Sequence, residues 1–229
     1  MLKNAAARTL CATEFLDCDT ALVQDYAKRI IGSAQDPVEQ ARKLYYAMRD
    51  RILYDVYDID LSRAGMRASS ILSAGTGFCI HKSIAFTAAA RSVGIPCRLA
   101  FADVRNHIST PRLREIVGGE VFHWHSYAEI YLNGRWIKAT PVFNLKLCQL
   151  FGIAPLEFDG TSDAALQLYD KQSDQYLEFI CHHGSFEEFP YAQCIAALKR
   201  HHPLLFTNGR RTIRGNLAKE QHSEAISPC

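Results

Sequence analysis

Residues 123–144 read HWHSYAEIYLNGRWIKATPVFN, two β-rich runs on either side of Asn133-Gly134. Asn-Gly between such runs is the strongest short-range hairpin signal, because a type I′ turn needs positive φ at both central positions and these residues adopt it readily. A two-residue turn sets the pairing: Leu132 faces Arg135, Tyr131 Trp136, Ile130 Ile137, Glu129 Lys138, Ala128 Ala139 and Tyr127 Thr140. Side chains alternate along a strand, so Ala128, Ile130, Leu132, Ile137 and Ala139 share one apolar face. The other face carries His125, Tyr127, Glu129, Tyr131, Trp136, Lys138 and Thr140. Glu129 opposite Lys138 is a favourable cross-strand charge pair. His125 lies diagonal to Thr140, with Asn144 further along. Pro141 has no N–H to give, so the ladder ends or bends before Asn144 is reached.

Upstream, CRLAFADV (97–104) reads as a strand and GTGFCIHKSIAFTAAA (75–90) as a tight turn running into a helix. From Cys79, Ile80, Ile84, Ala85, Ala88, Ala89 and Val93 form an apolar stripe that stops at Gly94. TALVQDYAKRII (20–31) and PVEQARKLYYAMRDRIL (37–53) are two further helices, the second capped by Asp36 with Pro37 at its first position. Residues 54–67 read as an irregular Tyr/Asp-rich loop, with 54–60 either a surface connection or a lining of the substrate cleft, 105–120 as a long connection, and 145–160 as a short helix with a loop. A further strand falls within 175–190. The boundaries predicted are an N-terminal helical extension (1–35), a core (36–190), and a C-terminal helix with a loose tail (191–229).

The chain has 229 residues, 48% hydrophobic and 22% charged, which is ample for a globular core. A formal net charge of +2 gives no field that would gather nucleic acid or an anionic membrane, so neither is an expected partner. Arg8, Glu14 and Asp17 interrupt the first residues, which lack the apolar stretch of a secretory signal. No segment approaches the ~20 apolar residues of a membrane span. A cytoplasmic location is expected. In a reducing compartment the eight cysteines read as thiols, most of them buried. His123-x-His125 and CHHG (181–184) bring possible metal ligands together, but no Cys-x-x-Cys pair or His-Glu-x-x-His helix accompanies them. No metal and no cofactor is expected.

Cys79 is the exception among the thiols. At a helix N-terminus, unsatisfied amides favour the thiolate, which lowers a thiol pKa from ~8.5. Gly75 and Gly77 allow close approach of a substrate backbone, and the Cys79 amide is placed to donate to an oxyanion. A histidine on a neighbouring strand completes a nucleophile–base pair, with a third polar group to orient the imidazole.

GTGFCIHKSIAFTAAARSVGIPCRLAFADV followed by HSYAEIYLNGRWIKATP resembles the transglutaminase-like superfamily of papain-type cysteine enzymes, over about residues 36–145. The resemblance implies an α+β, papain-like fold in which a helix carrying the Cys packs on an antiparallel sheet carrying the His. Cys79 and His125 match the family's nucleophile and base; His123 lies close by, but the H-x-x-x-E phase selects His125. The implied chemistry is acyl transfer at an amide of a peptide or protein substrate, with hydrolysis favoured over cross-linking. The family's Asp falls on Thr140, which has no charge. Thr140 or Asn144 is therefore the expected orienting residue, with Asp103 a weaker candidate. Gly77, Phe78, Trp124 and Tyr127 are the expected oxyanion or cleft residues. The missing carboxylate motivates the alternative of a pseudoenzyme that binds a peptide without turnover.

Overall fold

Helix α1 spans Ala21–Ile31 and α2 spans Pro37–Arg51, in a computed structural model that describes residues 8–106, 111–165, 168–169, 174–175 and 177–206. Helix α2 starts as its sequence dictates: the Asp36 carboxylate accepts the Glu39 amide at 2.9 Å and Pro37 fills the first position. It leads to β1 (Leu53–Tyr54), which pairs in parallel with β2 (Thr76–Gly77). Between them lies α3 (Ala68–Ala74), closed by Gly75 in the left-handed region at φ 70°. Then come α4 (Cys79–Ser92), β3 (Cys97–Asn106) and α5 (Pro111–Val117). They are followed by β4 (Val121–Leu132), β5 (Arg135–Ala139) and α6 (Leu145–Phe151). A short ribbon of β6 (Leu168–Tyr169) and β7 (Asp174–Gln175) precedes β8 (Leu177–Phe186). Helix α7 (Tyr191–His201) and a 3₁₀ turn (Pro203–Phe206) complete the described chain, and the expected loose tail beyond lies outside it.

The main sheet is antiparallel, in the order β5-β4-β3-β8. The fold is α+β, with the apolar face of this sheet closed by helices. The β4–β5 hairpin has the register set by its turn, from Leu132↔Arg135 to Ala128↔Ala139, with Asn133 at φ 49° and Gly134 at φ 83°. Two details differ from the sequence reading. The Tyr127–Thr140 pair does not form: β5 ends at Ala139, and the Thr140 amide donates to Ala164 O at 2.9 Å. Glu129 does stand opposite Lys138, but its carboxylate is engaged from the other neighbour, by Arg98 of β3 at 2.7 Å. The connection after β3 is not wholly irregular, since α5 occupies part of it.

Helix α4 is buried all round rather than along one stripe: every residue from Cys79 to Arg91 is buried. On one side lie α1, α2 and α3, and on the other β3 and β4. The polar residues of α4 are tolerated there because each has a partner across the core. Lys82 Nζ donates to Arg49 O at 2.8 Å and Ile52 O at 2.6 Å, which caps the end of α2. Ser83 Oγ donates to Ser126 O at 3.1 Å. Arg91 donates to Cys97 O at 2.8 Å and to Cys11 O and Glu187 O, each at 2.7 Å, tying the segments around Cys11 and Glu187 to the central helix. Val23, Tyr26 and Ala27 of α1 belong to this same core. None of the seven described cysteines is bridged, and among the described residues no helix is long and apolar enough to cross a membrane.

Candidate active site

Backbone geometry delivers Cys79 to the first position of α4. A side chain on Gly77 would put its Cβ 2.5 Å from His81 Cβ, so only glycine lets β2 pass this close to the first turn of the helix. Phe78 is the N-cap and Cys79 follows, its residue 5% exposed. The expectation of a lowered thiol pKa is overturned: burial pushes Cys79 up to about 11, although backbone hydrogen bonds from Ser126, Ile80 and Cys79 itself pull it partway back. Desolvation of the thiolate outweighs the amides at the helix end.

His125 stands near the start of β4, 6% exposed, and burial lowers its imidazole to about 4. Cys79 and His125 line one pocket of about 30 Å³ together with Phe78 and Trp124. Both groups are thus neutral at rest. A neutral imidazole can take a proton, and a neutral thiol can give one.

The β3–β4 register slips between Ala102 and Val104, and opposite this slip Trp124 takes φ 59°, rare for a bulky residue. Asp103 holds the slip in place. Its carboxylate accepts the Trp124 amide at 3.0 Å, His123 Nδ1–H at 2.9 Å and His183 Nε2–H at 2.6 Å. Burial alone would raise Asp103, but these bonds from His183, Trp124 and His123 hold its carboxyl below the usual range. His202 closes the network: its Nε2 accepts the His123 amide at 2.9 Å and its Nδ1 donates to Val117 O at 2.6 Å.

The expected orienting residues are engaged elsewhere. Thr140 Oγ1 donates to Ala165 O at 3.4 Å. The Asn144 amide donates to Ile52 O at 2.9 Å and to Arg49 O, while its oxygen accepts the Tyr54 amide at 2.6 Å. Among the described residues nothing hydrogen-bonds His125 Nε2, which is buried. Tyr127 is not at the cleft either. It packs with Ala100, Ala102 and Val104 on the outer side of the sheet, its hydroxyl 3.5 Å from His182 Nδ1. Asp103 is at the site but serves His123 and His183 rather than His125.

Sequence reading leaves the Tyr/Asp-rich stretch at 54–60 open between surface connection and cleft wall without singling out Tyr54, which lines the pocket; burial and the nearby Cys79 push its phenol well above the usual range. The same reading missed the cover formed by Leu113, Ile116 and Val117 of α5 and by Leu198 and Leu205 near the end of the described chain. The Asn144–Tyr54 contact spans ninety positions and leaves no local mark in the sequence. No group of three or more metal-ligating side chains is arranged to hold a metal among the described residues.

A family model described as the transglutaminase-like superfamily core matches residues 24–141, just over half of the chain. No curated protein matches. Among solved structures, a protein of Cytophaga hutchinsonii named provisionally as a cysteine protease is 16% identical, with a TM-score of 0.46, and the match covers 75% of this chain and 62% of that one. A protein of Parabacteroides distasonis named provisionally as a protease is 11% identical, with a TM-score of 0.37, over 56% of this chain and 26% of that one. The match therefore spans about three fifths and about a quarter of those two structures' own lengths.

Proposed function

The chain belongs to the transglutaminase-like superfamily, and from that premise we propose that it performs cysteine-dependent acyl transfer at an amide bond, ending in hydrolysis of a peptide or protein substrate. The observation that carries this reading is the shared pocket: Cys79 from a helix N-terminus and His125 from the facing strand line one cavity. In the proposed sequence His125 takes the proton of the Cys79 thiol and the thiolate attacks the substrate carbonyl carbon, forming the S–C bond. The C–N bond then breaks, and the imidazolium returns its proton to the departing amine. Water, giving its proton to His125, attacks the thioester, releases the acid and restores the thiol. Backbone N–H groups around Cys79 are the proposed oxyanion donors.

Cys79→Ala is expected to abolish turnover of a peptide library while circular dichroism stays unchanged. Full turnover in that variant would refute the mechanism.

A second reading, a peptide-binding module without turnover, is favoured by the absence, among the described residues, of any hydrogen-bond partner on His125 Nε2. A peptide that binds the wild-type protein and never acylates Cys79, as judged by mass spectrometry, would select it.

A further inference from the structure

We infer that the pocket beside Cys79 selects an uncharged aliphatic acyl group, an inference that rests on the acyl-transfer reading above. The walls are Phe78, Leu113, Ile116, Phe122, Trp124 and Leu198, brought together from four separate parts of the chain. Among the described residues no Asp, Glu, Lys or Arg lines it. Of its polar members, Cys79 and His125 are the proposed reacting pair, Tyr54 brings a neutral phenol, and His123 and His202 are tied to other groups. Both nitrogens of His202 are occupied, Nε2 by the His123 amide and Nδ1 by Val117 O, and His123 Nδ1 is held by Asp103. His125 is the proposed base and is kept neutral by burial.

A charged acyl side chain entering this space would lose its water without meeting a counter-charge, a penalty of several kcal/mol. An aliphatic side chain loses nothing by the transfer and covers apolar wall. Size narrows the class further. About 30 Å³ is space for roughly two waters, which favours a short aliphatic chain over a long one while the α5 cover stays in place. Selection thus comes from exclusion: among the described residues the cavity holds no charged side chain that would pair with a charged acyl group.

The test uses the intact protein and p-nitrophenyl esters as acyl donors, comparing butyrate with hemisuccinate and N-acetyl-leucine with N-acetyl-lysine. Mass spectrometry locates the adduct, and iodoacetamide serves as a side-chain-free control. The butyryl and leucyl donors are expected to acylate Cys79 at least tenfold faster than their charged counterparts. Ile116→Lys at the pocket wall is expected to shift the ratio toward hemisuccinate. Comparable rates for charged and aliphatic donors, with Cys79 still alkylated in a His125-dependent manner, would overturn this inference and leave the acyl-transfer reading standing. No Cys79 adduct with any donor or with iodoacetamide would overturn both.

Discussion

Among the described residues His81 Nδ1 and His125 Nε2 are both buried without a hydrogen-bond partner, and burial lowers each imidazole to about 4. In the unfolded chain a histidine titrates near 6.5, so the unfolded state binds more protons on the acid side. Stability is therefore complete above about pH 6.5 and is lost as pH falls toward 4, at about 1.4 kcal/mol per pH unit for each histidine. Urea unfolding between pH 7 and 4 measures the slope, and His81→Gln should flatten it. A wild-type profile that is level over that range would contradict the burial of both rings. The thiol gives a second residue-scale expectation. With Cys79 near 11, its alkylation by iodoacetamide should climb steadily with pH and show no plateau around neutrality. The candidate pair was legible in the sequence, since Cys79 follows a glycine turn and His125 lies near the start of a marked strand. Its protonation state was not, because the desolvating groups come from α5 and α7, remote in the chain.

Elements divide in the same way. The β4–β5 register and the start of α2 were legible because both are set within a few residues, by Asn133-Gly134 and by Asp36-Pro37. Asp36→Ala should cost about 1 kcal/mol of stability, seen as a lower thermal midpoint. The burial of α4 on all sides was hidden, since Lys82, Ser83 and Arg91 look like a solvated face until their distant carbonyl partners are known. The end of α2 is the clearest case. Lys82 and Asn144, from α4 and from the residue before α6, converge on Arg49 O and Ile52 O. Removing the Asn144 side chain strips three hydrogen bonds from a buried junction. Asn144→Ala should lower the unfolding free energy by about 2–4 kcal/mol in urea titration. A change below about 0.5 kcal/mol would show that this junction is not the role of Asn144.

Over the whole molecule, the cysteines report how tightly the parts close. Cys11 and Cys181 are exposed, whereas Cys18, Cys97, Cys148 and Cys194 are buried. Timed alkylation with peptide mapping should label the exposed pair first and the buried four only as the protein unfolds. Cys79, beneath the α5 cover, should fall between them. Labelling of Cys97 or Cys194 at the rate of Cys11 would mean that the core opens far more readily than its packing implies. The α+β class and the helix-on-sheet arrangement were legible from element order and the family resemblance. The sheet order β5-β4-β3-β8 was not, because nothing local tells β3 that its second neighbour comes from so late in the chain.

That late strand matters to the order in which the protein is made. β3 ends at Asn106 and β8 starts only at Leu177, while Arg91 waits for the carbonyl of Glu187 and Phe15 for the rings of Phe189 and Tyr191. A growing chain on the ribosome can form the hairpin and lay α4 against it, yet it must carry one naked strand edge until β8 has emerged. Arrested translation short of this point should therefore yield sticky fragments.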